Sequence, residues 1–160
     1  MIRREEPADI PAIRKVIEDA FRSNAEATLV DQIRADSDAV LSALAIDQGN
    51  IVGHIMFSRM TSPFRALGLA PVAVMPSHQR KEIGSQLIRW GIAQVEKEAW
   101  DAIFVLGNPA FYKRFGFDPA LASGFLSPYA GPHFMVLALR GVLPATTGRV
   151  DYAPAFAALG

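Results

Sequence analysis

Residues 69–87, LAPVAVMPSHQRKEIGSQL, constrain this chain more than any other stretch: a short apolar run gives way to a polar loop and then to an amphipathic pattern. Leu69, Val72 and Val74 lie in a run too short for an ordinary helix, rich in β-branched residues and closed by Pro76, which predicts a strand. Pro71 has no N–H to give to a ladder, so this strand carries a bulge or an open side. Ile83, Leu87, Ile88, Gly91, Ile92 and Val95 then recur at the spacing of one helix face, with Gln86, Arg89, Gln94, Glu96 and Lys97 mostly on the other. The helix therefore starts near Glu82 or Ile83.

Between strand and helix, His78, Gln79, Arg80 and Lys81 present a basic segment to the first helical turn. The N–H groups of that turn lack intrahelical partners and the helix dipole adds partial positive charge, so an anion such as a pyrophosphate suits the place. The same residues also fit an ordinary connection with solvated charges, and the residues alone leave both readings open.

Composition narrows the classes. A chain of 160 residues fits one domain that buries roughly two thirds of its unfolded surface. Half its residues are apolar (51%) and the mean hydropathy is +0.19, values of a globular protein. Sixteen basic residues balance sixteen acidic ones, so no net field recruits nucleic acid or an anionic membrane, and neither is expected as a partner. The absence of cysteine rules out disulfides, thiolate metal sites and a cysteine nucleophile, and permits a reducing compartment. Residues 1–9 are charged, without the apolar core of a signal peptide, and the longest apolar run, 66–76, falls short of the ~20 residues that span a bilayer. A soluble cytoplasmic protein is expected. Three scattered histidines, with His78 and His133 in loops, make no metal set. The patterns GxSxG, GxxxxGK[ST] and GxGxxG do not occur.

Read in order, residues 2–5 suggest a short edge strand. Asp9 then stands as the N-cap of a helix that carries Ile13, Val16, Ile17, Ala20 and Phe21 on one face. A second helix begins around Ala25. Leu41, Leu44 and Ile46 lead through the turn signal at 47–50 into residues 51–56, a hairpin. After the central helix, residues 102–106 read as a fully buried strand, Pro109 to Phe115 as a short helix stopped by Gly116, and 118–132 as a loop. Residues 134–139 form the next strand, and 148–152 a last edge strand. The result is one α/β (α+β) domain over 1–160, a mixed sheet with helices on both faces.

The run Gln79, Arg80, Lys81, Glu82, Ile83, Gly84 resembles the Q/R-x-x-G-x-G/A pyrophosphate loop of the GNAT superfamily, the acetyl-CoA-dependent N-acetyltransferases. Val72, Ala73, Val74, Met75 and Pro76 are similar to that family's fourth strand. Asn108 with Phe111, Tyr112, Gly116 and Phe117 matches its later N…Y-x-x-x-G-F motif. The element order is also that of the family, and the tail resembles a branch of uncharacterised bacterial members.

The resemblance implies acetyl-CoA as cosubstrate, with no metal, and a primary amine, small molecule or peptide, as acceptor by direct nucleophilic attack. Gln79, Arg80, Lys81, Ile83, Gly84 and Ser85 are then the pyrophosphate-binding residues. The backbone of Val72 and Val74 pairs with pantetheine like an added strand, Ala73 between them counts among the cofactor-binding residues, and the Asn108 amide holds CoA. Tyr112 protonates the departing thiolate, a role that suits a phenol of pKa near 10 against a thiol of roughly 8.5. On residue type alone, Tyr112 also fits aromatic packing beside Phe111, and Asn108 a turn before Pro109. One position departs from the pattern: Glu82 replaces its first glycine, which either repels phosphates or points to solvent. Residues 66–74 carry no carboxylate to serve as general base. The candidates elsewhere are Glu26 and His54, each of which also reads as structural. The alternative to an enzyme is an acyl-CoA-binding module of the same fold that is weak or inactive in transfer. Oligomeric state is left open, a homodimer included.

Overall fold

The computed structural model describes residues 1–159. Alternating apolar positions produce two long antiparallel strands, β2 (Ala39–Asp47) and β3 (Asn50–Arg59), both longer than the sequence pattern marks. Gln48 and Gly49 join them with φ of +49° and +80°, the left-handed pair that a two-residue hairpin requires. Strand β1 (Ile2–Arg4) adds to one side of this hairpin and β4 (Ala66–Val74) to the other. Beyond β4 lies β5 (Ala102–Leu106), and at the far edge β7 (Phe134–Ala138), giving the order β1-β2-β3-β4-β5-β7. Within this sheet only β4 and β5 are parallel, and the crossover they need is supplied by helix α3 (Ile83–Glu96).

Helices cover both faces. Successive strand residues point to opposite sides, so Leu44, Met56 and Ala73 pack under α1 (Ile10–Phe21) and α2 (Ala25–Ala35), through Ile13, Val16, Ile17, Leu29, Val30 and Ile33. Ala43, Ile55, Phe57 and Ile103 face Leu87, Ile88 and Val95 of α3. A third cluster gathers Phe104, Phe134 and Val136 beneath Phe125, Leu143 and Val150 of the C-terminal third.

Several expectations are corrected. Asp9 precedes α1, but its carboxylate does not cap that helix; it accepts from the Glu6 N–H at 2.7 Å and from the Arg3 guanidinium at 2.8 and 3.0 Å. Residues 118–132 are not all loop: Asp118 caps the short helix α5 (Pro119–Ala122) by accepting from the Ala120 N–H at 2.8 Å, and β6 (Phe125–Leu126) follows. The tail adds no strand to the main sheet. Instead β8 (Gly148–Arg149) pairs with β6 in a separate two-stranded sheet, and a helical turn spans Pro154–Leu159. In β5, Ala102 to Val105 are buried, whereas Leu106 is 46% exposed.

One feature of the sheet positions the site. Strands β4 and β5 pair only where Ala66, Leu67 and Gly68 meet Ala102, Ile103 and Phe104; beyond that point they diverge. There β4 carries its bulge, Ala70 and Pro71 together facing Met56 of β3, as the proline demanded. Past the bulge the Met75 N–H donates to Val52 O at 2.8 Å. In an antiparallel ladder hydrogen-bonding residues alternate, so Ala73 shares this side and the polar groups of Val72 and Val74 turn to the open side.

Close packing of α3 on the sheet depends on Gly91, where a Cβ would lie 2.5 Å from the Phe57 ring. Gly91→Ala gains helix propensity of about 1 kcal/mol yet is expected to lose roughly 1–3 kcal/mol net by displacing a fully buried ring. Urea denaturation checks this, and unchanged or raised stability would contradict the packing.

Candidate functional site

At the C-terminal end of β4 the chain makes a turn at Pro76–His78 and passes through Gln79 to Glu82 into α3. His78 is held by Asp47 of the hairpin, Nε2 to Oδ2 at 2.9 Å, and by the Ser77 hydroxyl at 2.7 Å. Gln79 Nε2 donates to Val74 O at 3.1 Å, which shows that this carbonyl faces away from β3. Arg80 and Glu82 both adopt left-handed backbone, φ +65° and +67°. Glycine takes that conformation freely, and a side chain keeps it at a cost of ~1–2 kcal/mol. The glycine of the family pattern is thus replaced at a position whose backbone still has the glycine geometry.

This loop walls a cavity of about 380 Å³ at the N-terminus of α3, with Val74, Gln79, Arg80, Ile83, Gly84 and Ser85 in its lining. Glu82 lines it too, beside Arg80 and Arg114 in the same wall. Arg114 closes the far side: Nη2 donates to Ser85 Oγ at 2.6 Å, and the guanidinium lies over Phe111 and Phe115 at 4.8 and 5.2 Å. Sequence reasoning missed Arg114. Its one local signal is an arginine flanked by aromatics three residues before and one after. Its place over α3 depends on how α4 (Pro109–Tyr112) packs against the sheet.

The remaining expected cofactor residues divide. Lys81 lies outside the cavity lining. Ala73 is removed from the set, because its side chain is buried under α1 and α2 and its polar groups belong to the β3 side. Asn108 caps α4, its Oδ1 accepting from the Ala110 N–H at 3.0 Å, which is the turn role that its neighbour Pro109 suggested.

A second cavity, of about 260 Å³, opens where β4 and β5 part, and it brings Tyr112 and Glu26 together with Leu69, Val72 and Leu106. Tyr112 packs against Gly107, where a Cβ would come within 2.5 Å of Cε2, and meets Phe111 and Phe117 edge-on at 5.0 and 5.8 Å. Burial disfavours the phenolate and raises the Tyr112 pKa above its usual 10. Glu26 enters from the first turn of α2 and, among the described residues, makes no ion pair or side-chain hydrogen bond. One phenol that stays protonated and one free carboxylate thus share an apolar cavity. That pair can give a proton at one point and take one at another.

His54 is not part of either cavity. It is fully buried in β3, its Nε2 2.8 Å from Ser42 Oγ. The Ser42 hydroxyl spends its proton on Glu5, whose carboxylate also pairs with Arg34. Ser42 must therefore accept from His54 Nε2–H, which leaves Nδ1 bare and without a partner. Burial, helped by Arg34, lowers the His54 pKa to about 3, so this ring is neutral. Among the described residues there is no cluster of three His, Asp or Glu that would hold a metal ion, and no helix long and apolar enough to cross a membrane.

The pattern of the acetyltransferase (GNAT) family matches residues 10–117. The uncharacterised N-acetyltransferase YjhQ of Escherichia coli K12 is 39% identical over 134 residues, 78% of this chain and 74% of that protein. YhbS of the same strain, also an uncharacterised N-acetyltransferase, is 32% identical over 159 residues, 95% of each chain. The crystal structure of Escherichia coli YhbS in complex with CoA superposes with a TM-score of 0.92 at 32% identity, covering 100% of this chain and 93% of that one. A GNAT family acetyltransferase of Brucella melitensis in complex with acetyl-CoA gives a TM-score of 0.83 at 34% identity, covering 98% and 97%.

The buried histidine has a measurable consequence. Above pH 6.5 His54 is neutral folded or unfolded; below it only the unfolded chain takes up the proton, so stability falls as pH drops from 6.5 toward 3. The expected slope is up to ~1.4 kcal/mol per pH unit. Urea denaturation of wild type and His54→Gln at pH 7.5, 5.5 and 4.5 checks it: the gap between them should shrink with falling pH, and parallel curves would contradict the assignment.

Proposed function

The chain belongs to the acetyltransferase (GNAT) family, and from that premise we propose that it transfers an acetyl group from acetyl-CoA to a primary amine by direct attack. The observation that supports this most is the open edge of β4. Val74 stands in the wall of the basic cavity and Val72 in the wall of the Tyr112–Glu26 cavity, ~7 Å further along the strand. Both turn their peptide groups to a side on which β5 has departed. A pantetheine arm laid there satisfies those groups as an added strand would. Its pyrophosphate then falls at the α3 N-terminus beside Arg80 and Arg114, and its thioester beside Tyr112.

Each residue has one task in this reading. Glu26 takes the proton of the arriving ammonium and so frees the nitrogen lone pair. The N–C bond forms at the thioester carbonyl and the C–S bond breaks. Tyr112, packed against Gly107, donates its proton to the departing sulfur, and the second proton that the nitrogen sheds as the amide forms returns to the phenolate. His54, neutral and sealed in, takes no part.

A second reading, a module of the same fold that binds acyl-CoA without transferring it, rests on Glu82. A carboxylate in the phosphate cavity opposes the ligand, and the position keeps glycine geometry. Calorimetric titration with acetyl-CoA separates the two. Saturable binding is expected, weakened by Arg80→Ala and strengthened about fivefold by Glu82→Gly, equivalent to ~1 kcal/mol. Binding without turnover of any amine, even in Glu82→Gly, would favour the module, and absence of binding would sink both.

Tyr112→Phe is expected to lower kcat about a hundredfold. Because burial raises the phenol's pKa, the wild-type rate should show no alkaline fall from this group below pH 10. An unchanged kcat across the pH profile would remove Tyr112 from the mechanism.

A further inference from the structure

The Tyr112–Glu26 cavity does not end at those two residues. It shares Leu69, Ala70, Leu106, Phe156 and Leu159 with an adjoining cavity of about 240 Å³ that reaches Tyr129 and Tyr152. All three tyrosines of the chain thus line one continuous space between the parted strands and the C-terminal turn. Among the described residues, Glu26 is the sole charged residue of the lining across both parts.

Its rim is unusually apolar. Phe21, Leu106 and Leu159, 40%, 46% and 42% exposed, are three of the few large hydrophobic side chains that this chain leaves to solvent, and all three line this cavity. Deeper in, Tyr129 and Tyr152 meet edge-on at 5.4 Å, and Tyr152 lies 5.0 Å from Phe156. The Tyr152 hydroxyl is buried without a hydrogen-bond partner. It is a cost that a ligand reaching this end would relieve.

Resting on the transfer reading above, we propose that the acceptor is an amine with a single cationic nitrogen on a small apolar body, aryl or short alkyl, which lies along this cavity with its nitrogen at Glu26. One carboxylate matches one ammonium. A polyamine or an aminoglycoside brings further cations against walls with nothing to pair them, and a buried unpaired charge is expelled. Size gives the other limit, since the two parts, about 260 and 240 Å³, together reach only the lower half of the ~300–1,000 Å³ typical of a drug-sized site. Leu106 is the specificity-determining residue: as the last residue of β5, it is placed by the divergence of the strands in the wall that both parts share.

The test measures thiol release from acetyl-CoA with 2-phenylethylamine, hexylamine, spermidine and kanamycin, beside calorimetric titration of acetyl-CoA. The apolar amines are expected to exceed the polycations in kcat/KM by about tenfold or more, the discrimination of one or two buried methylenes. Leu106→Asp should erase that preference through KM while its melting temperature and acetyl-CoA affinity stay near wild type. Preference for spermidine or kanamycin, no turnover of either apolar amine, or a preference that survives Leu106→Asp overturns the proposal. So does hexanoyl-CoA serving as the better donor and competing with 2-phenylethylamine, since the cavity would then hold the acyl tail. If acetyl-CoA itself fails to bind, the transfer reading falls first. If it binds and only polycations are acetylated, that reading stands and this inference alone fails.

Discussion

The departure of β5 from β4 after Gly68 and Phe104 is the constraint on which the rest of this structure depends. A continuous parallel ladder would have consumed the peptide groups of Val72 and Val74 and closed the sheet. The bulge at Ala70 and Pro71 forbids that, because the proline has no N–H to contribute and the extra residue bends the strand. Peptide groups left on the open side need partners, and at this edge they meet solvent or a ligand. The basic loop stands at one end of the gap and the cavity holding Tyr112 and Glu26 opens along it.

Two polar systems sit on this frame, built to different rules. Under α1 and α2, the half-buried Arg34, Glu5 and Ser42 lead to the fully buried His54 in a chain where each donor has an acceptor until Nδ1 of the histidine. It rivets the helical face to β2 and β3, and its histidine is too deeply buried and too weakly basic to serve chemistry. Around the cavity at the α3 N-terminus the fixed elements are few: Gln79 on Val74, His78 on Asp47, Arg114 on Ser85. There the backbone holds a local strain at Arg80 and Glu82.

Aromatic rings laid on glycines recur where position matters most. Tyr112 lies on Gly107, Tyr152 on Gly68 and Phe57 on Gly91, each so close that a methyl group would overlap the ring. In this way three glycines in regular or turn backbone place Tyr112, a cavity wall and the keystone between α3 and the sheet. None announces that role in the sequence, since the ring that each glycine meets is supplied from elsewhere in the chain.

What was legible in the sequence is what local rules govern. Period-3.6 and period-2 patterning marked α1, α2, α3, β4, β5 and β7. Pro71 demanded the bulge, Gly116 the stop of the short helix, and the 79–84 and 108–117 motifs announced the family. Tertiary structure decided what depends on distant neighbours. It paired the tail strand with β6 rather than with the main sheet. It turned Ala73 inward, sealed His54 away, and brought Glu26 to Tyr112 from 86 positions earlier in the chain. It also swung Arg114 over the start of α3 and left Leu106 uncovered at the end of a strand that reads as wholly buried. The physical reason is the same in each case. Periodicity and turn chemistry act within a few residues, whereas burial, charge pairing and the walls of a cavity are set by whichever segments packing brings alongside.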